Sequence, residues 1–183
     1  MKVEPGPKLE TRIVDFRLEA TPDRIRLDEA VNLKIGFRVA GGLRDVFNPD
    51  VWDRAIDLDD EHLRVVTTLS ILKKVGWFLD RVIVKPIILK RKATFYWTRD
   101  PQNPYRVWVM LVDEESNPHI PAGLEDAVKR FFEFRKQVSL LGSGLGRGRH
   151  TLYARASVTW TRHFYIEKGR ARAASNKVQV EVL

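Results

Sequence analysis

The chain has four histidines: His62, His119, His150 and His163. No two have the i, i+4 spacing that lets imidazoles share a metal on one helix face. All four read as ordinary surface histidines, although His150 and His163 fall on or near one strand system. There are no cysteines, which removes thiolate metal sites, disulfides and thiol nucleophiles together. Asp57, Asp59, Asp60 and Glu61 offer the oxygen ligands a hard cation wants. They lack the spaced Asp/Asn pattern and glycine of an EF-hand loop, and read as a helix start, where carboxylates are favoured. Asp113, Glu114 and Glu115 read as solvated loop charges after a strand. No Gly-x-Ser-x-Gly stands between a strand and a helix; Gly142-Ser143-Gly144 follows an expected helix, the wrong context for a nucleophile elbow. No catalytic residue, metal or cofactor is assigned.

Basic residues carry the main functional hint. The net charge is +8, unevenly spread: residues 1–61 have a net of −4 and residues 62–183 a net of +12. Two stretches, 70–99 and 142–177, each hold eight bases and one acid. In the first, Lys90, Arg91 and Lys92 lead into Phe95, Tyr96 and Trp97. In the second, Arg162 stands beside His163, Phe164 and Tyr165, with Arg170 and Arg172 following. Arginine for phosphate and aromatics for base stacking suit single-stranded nucleic acid. Arg147 and Arg149 add to this set, in the loop 142–149 (GSGLGRGR), whose glycines free backbone amides to approach a phosphate. That loop has no Lys-Ser/Thr and follows no strand, so a mobile interstrand loop is its plainer reading. The plainer reading of the basic stretches, preferred on sequence alone, is a solvated strand face whose arginines pair with acids of residues 1–61. Lys73-Lys74-Val75-Gly76-Trp77-Phe78-Leu79 suits an anionic membrane surface; it reads instead as part of an internal helix packed on a sheet.

The elements that must position these residues are mostly strands. Val14, Phe16, Leu18 and Ala20 alternate with polar residues, as do Val31, Leu33, Ile35, Phe37 and Val39. Thr21-Pro22-Asp23 is a turn signal. Residues 93–97 and 105–112 predict a hairpin. Leu63, Val66, Leu69, Leu72 and Val75 predict a helix that ends at Gly76, and residues 122–141 predict a second, ending at Gly142. Arg81 to Leu89 favours a strand by its β-branched residues. Leu152, Ala154, Ala156, Val158 and Trp160 alternate again, and residues 177–183 predict a closing strand.

The segment His150-Thr151-Leu152-Tyr153-Ala154-Arg155-Ala156, after a glycine-rich turn, resembles the penultimate strand of prokaryotic immunoglobulin-like domains. Residues 174–182 resemble their closing strand and residues 16–39 their opening strands. The resemblance implies that Tyr153 packs against the preceding corner. It implies adhesion, accessory binding or structural spacing, and no catalytic residues. The expected fold is therefore mainly β: one domain over 1–183, an immunoglobulin-like antiparallel β-sandwich from strands at about 11–42 and 145–183, with a helical insertion over 43–144. An unrelated α+β fold is the alternative.

A length of 183 residues and a hydrophobic fraction of 44% suffice for a core without staples. Few Gln, Asn and Met beside twenty Arg give a thermophile-like composition. No transmembrane segment is expected, because charges and Pro86 interrupt the apolar region 69–89. No signal peptide is seen, which makes a cytoplasmic location the expectation unless a leader has been trimmed. The leading functional expectation is a non-enzymatic module whose basic face contacts an acidic partner, protein or nucleic acid. The alternatives are a self-assembling subunit of a virion or surface layer and, last, an enzyme with its site in the helical insertion.

Overall fold

Alternation of apolar and polar residues governs nearly every element of the computed structural model, which describes residues 11–41, 62–100, 103–162 and 167–183. The strands are β1 (Arg12–Thr21), β2 (Arg24–Ile25), β3 (Ala30–Ala40), β4 (His62–Val75), β5 (Leu79–Val82), β6 (Ile87–Asp100), β7 (Asn103–Val112), β8 (Pro118–His119), β9 (Glu133–Leu141), β10 (Gly148–Arg162) and β11 (Glu167–Val182). Helix α1 spans Leu124–Phe132, and α2 is a single turn at Gly142–Leu145.

Two sheets result. The smaller has the order β1-β3-β9; the larger runs β2-β11-β10-β4-β6-β7-β8, with β5 paired to β4. All pairings are antiparallel except β2 with β11. The inner faces share one apolar core. Leu18, Val31, Leu33, Ile35, Phe37 and Phe134 from the small sheet join Leu63, Val65, Leu69, Ile71, Leu152, Val158 and Trp160 from the large one. Phe37 stacks on Phe134 at 4.9 Å and meets Phe16 edge-on at 5.2 Å, the geometries that the ring quadrupole favours. The Asn176 side chain joins β11 to β1: its Oδ1 accepts from Leu18 N at 2.8 Å and its Nδ2 donates to Leu18 O at 3.0 Å.

The mainly β expectation holds, and the two expected helices are corrected. Residues 62–75 form β4. From Leu63 to Ile71 the buried positions are Leu63, Val65, Thr67, Leu69 and Ile71, with Leu72 buried next to them; this is a period of two that the spacing 63-66-69-72-75 misread as helical. Five β-branched residues between 65 and 71 favour the extended form. The second helix stops at Phe132, and residues 133–141 turn into β9, whose Phe134 is buried while Leu141 is exposed. Pairing with β3 outweighs a helix-compatible pattern there. The expected helical insertion is thus mostly strand among the described residues. The acidic run 57–61 lies outside them.

Candidate basic face

The inner positions of β4, β6, β10 and β11 are fixed by the core, so the intervening residues point outward. Cross-strand register sets them in rows. Lys92 lies opposite Arg64, which lies opposite Thr161. The next row runs Lys90, Val66, Thr159, Arg170, and the next Ile88, Thr68, Ser157, Arg172. The last runs Ser70, Arg155, Ala174. Standard strand dimensions make this surface about 14 Å across the strands and about 20 Å along them. Six cations therefore share one face of one sheet, and five of them are exposed, Lys92 being half-buried. Among the described residues the ion pairs are Arg24 and Arg149 with Glu181, Arg38 with Asp15, Arg91 with Glu114, His119 with Asp113, and Arg130 with Asp126. None uses Arg64, Lys90, Lys92, Arg155, Arg170 or Arg172. Like charges directly opposite each other, as at Arg64 and Lys92, destabilise a sheet, and no ion pair among the described residues offsets this one.

The structure thus brings Lys90, Lys92, Arg170 and Arg172 together. Arg91 points the other way and is 9% exposed. Its Nε donates to Glu114 at 2.8 Å, and its Nη1 donates to the carbonyls of Arg130 and Glu133 at 3.0 and 2.6 Å. Its guanidinium lies 3.9 Å from the centre of the Phe134 ring. Arg91 therefore caps the C-terminal end of α1, where a cation is favoured, and ties that helix to the large sheet. Glu114, read as a solvated loop charge, is its partner. Burial, the largest single effect, raises the Glu114 pKa, but the Arg91 hydrogen bond, a backbone hydrogen bond and the Arg91 charge together outweigh it and hold it below the usual value.

Arg147 and Arg149 lie at the other end of β10, about 33 Å from Thr159 at standard rise. Arg149 stands 3.6 Å from Glu181. The Arg162 side chain lies outside the described residues, as do those of His62 and His163. Arg64 and Arg155 were missed by sequence reasoning. The parity of β4 and β10 would have given both, since each sits between buried neighbours.

The glycine loop is pinned, where a mobile loop was the reading. Gly142 N donates to Glu29 O and Ser143 N to Leu27 O, both at 2.8 Å, and Lys73 Nζ donates to Leu145 O at 2.9 Å. A Cβ at Gly142 would stand 2.3 Å from Arg26 O, so that glycine serves close packing. His150 Nε2 lies 2.7 Å from Gly146 O and His119 Nε2 lies 3.2 Å from Asp113. Tyr153 departs from the expected corner contact: its hydroxyl donates to Asp80 on β5, and burial is the main cause raising its pKa above the usual 10.0. Among the described residues no three His, Asp or Glu cluster at metal-binding distance. Nor is any described helix long and apolar enough to cross a membrane.

No family model, curated protein or solved structure matches the chain.

Proposed function

We propose that the chain is a non-enzymatic binding module that lays the outer face of β6-β4-β10-β11 along the phosphate backbone of a nucleic acid. The observation that carries this is the row set of six cations without a carboxylate partner among the described residues. Between them stand the hydroxyls of Thr68, Ser70, Ser157, Thr159 and Thr161, donors of the kind that hold phosphate oxygens. This chemistry positions a backbone without reading sequence. The same strand order supports an immunoglobulin-like frame. β1-β3-β9 corresponds to strands A-B-E, and β11-β10-β4-β6-β7 to G-F-C-C′-C″ of a variable-type sandwich.

The test is fluorescence anisotropy with single- and double-stranded oligonucleotides over a salt series. Heparin and polyglutamate serve as competing polyanions. If all six cations engage phosphates, log K against log salt has a slope of about −4 to −5. Combining Lys90→Glu, Arg170→Glu and Arg172→Glu lowers affinity at least about 100-fold and flattens the slope by about 2 to 3. No binding at about 50 mM salt overturns the proposal. Tighter binding to polyglutamate than to the oligonucleotides overturns the nucleic-acid reading and assigns the face to an acidic protein.

A further inference from the structure

The β4–β5 hairpin runs past the sheet that anchors it. The β4–β10 pairing ends at Lys73, opposite Leu152. Beyond it only Lys74 with Asp80 and Val75 with Leu79 pair, within the hairpin itself. Gly76, at φ 70°, makes the turn in a backbone region that favours glycine. At the tip Trp77 is 97% exposed and Phe78 is 96%, with Leu79 at 74% beside them. Val75 and Val82 are also exposed. Single exposed apolar residues need no explanation, but a contiguous cluster with two aromatics marks an interaction site. None of these side chains enters the core or the basic face.

The cations around this tip identify its occupant. Lys74 and Arg81 are exposed on the hairpin, and Lys177 of β11 is close enough to Lys74 that the two ammonium groups interact, which pulls Lys177 below its usual pKa. Among the described residues the carboxylate on this hairpin is Asp80, which lies opposite Lys74 and accepts the Tyr153 hydroxyl. The rung Lys74–Asp80 stands two residues back from the turn, a setback of about 7 Å. An interfacial segment buries its apolar side about 5–10 Å into the headgroup boundary, with tryptophan favoured at that depth and lysine and arginine attracted to anionic headgroups.

We infer that the β4–β5 hairpin is a membrane-surface anchor: Trp77, Phe78 and Leu79 enter the interface of an anionic bilayer while Lys74, Arg81 and Lys177 hold its headgroups. The inference is independent of the basic face, since it uses a different part of the sheet. Binding is weak and reversible, because one short apolar tip falls far short of a spanning segment.

The experiment is flotation of the whole chain with vesicles of phosphatidylcholine alone and of phosphatidylcholine with one third phosphatidylserine, read beside tryptophan quenching by brominated lipid. Binding to the phosphatidylserine vesicles is expected. Trp77→Ser with Phe78→Ser lowers it at least tenfold with an unchanged melting temperature and unchanged oligonucleotide affinity. Lys74→Ser with Arg81→Ser lowers it by about five-fold per cation on anionic vesicles only. Quenching falls in Trp77→Phe. Absence of binding to the anionic vesicles at low salt overturns the inference. So does a tip variant that binds them as well as the parent chain, because attraction to the basic face would then suffice. If the tip variant instead converts a dimer to a monomer in sedimentation, the tip docks on a second copy and the lipid assignment falls.

Discussion

The outer face of the small sheet carries Asp15, Glu19 and Glu133 among Arg17, Lys34, Arg38 and Arg135, around a shallow groove of about 690 Å³ with Gly36 in its wall. Its register sets opposite charges against each other: Glu19 faces Lys34, Arg38 faces Glu133, and Arg38 also reaches Asp15. The outer face of the large sheet sets Lys92 against Arg64 and surrounds them with further cations. Both faces keep the protein hydrated, and opposite cross-strand charges contribute roughly 0.2–1 kcal/mol where like charges cost a similar amount. The number of charged groups therefore does not separate the two faces; their signs and pairing do. On the proposed reading, a face whose cations have no carboxylate partner among the described residues leaves them to a ligand, while the small sheet sets three carboxylates among its four cations.

The largest effect concerns the one cation of the basic run that is compensated. Arg91→Met leaves the half-buried Glu114 without its partner and the C-terminal carbonyls of α1 without this donor. A loss of about 3–5 kcal/mol is expected in urea unfolding, against about 0.5 kcal/mol or less for Lys90→Met one residue away. A cost for Arg91→Met as small as that for Lys90→Met would erase the distinction between the inward and outward cations of β6. The pH dependence gives a second readout. Glu114 is held below its usual 4.5 in the folded chain, so its contribution is present above about that pH and is lost as pH falls through the folded value. In Arg91→Met burial and the Asp113 charge are opposed only by a backbone hydrogen bond weaker than the burial effect, and the folded pKa rises. The contribution is then kept at low pH and lost as pH rises through the folded value, reversing the slope between the two proteins.

How much of this was legible follows from period and parity. Val31 to Val39 alternate without interruption, and the structure buries every odd position. The same holds from Leu152 to Trp160 at the even positions. Where a segment satisfies two periods, the sequence alone does not decide. Leu63, Leu69 and Leu72 fit a helix, the β-branched residues between them lean towards the extended form, and pairing with β10 and β6 decides it. That ambiguity hid Arg64, since a residue's face depends on its element. It also put Lys90, Arg91 and Lys92 in one group, although adjacent residues of a strand face opposite ways. The exposed tip at Trp77 was hidden for the same cause, because a helix packed on a sheet would have covered it.

The central contrast is open to a reciprocal exchange. Lys92→Glu turns the like pair with Arg64 into an opposite one. It is expected to raise stability by about 0.2–1 kcal/mol while lowering oligonucleotide affinity and flattening its salt slope by about 1. Lys34→Glu does the reverse to the small sheet: opposite Glu19 it costs roughly the same 0.2–1 kcal/mol and leaves oligonucleotide binding unchanged. Equal loss of binding in both variants would show that net charge, and not the arrangement on β6-β4-β10-β11, governs association.

The smallest effect tests whether the pairing on the small sheet matters energetically at all. Arg38 Nε donates to Asp15 Oδ2 at 2.8 Å, but both side chains are more than half exposed, so the pair is worth no more than about 1 kcal/mol. Asp15 also sits at φ 52°, at the irregularity in β1 between Val14 and Arg17. Asp and Asn tolerate that left-handed region, whereas a β-branched residue does not. Asp15→Asn removes the charge and keeps the backbone, and is expected to shift stability by about 0.5 kcal/mol or less. Asp15→Val removes the charge and adds strain, and is expected to cost about 1–3 kcal/mol. If Asn proved as costly as Val, the ion pair and not the backbone would be what Asp15 supplies. Neutralisation would then be a stabilising device on the small sheet, and the uncompensated large face would forgo more stability than exposed pairs ordinarily provide.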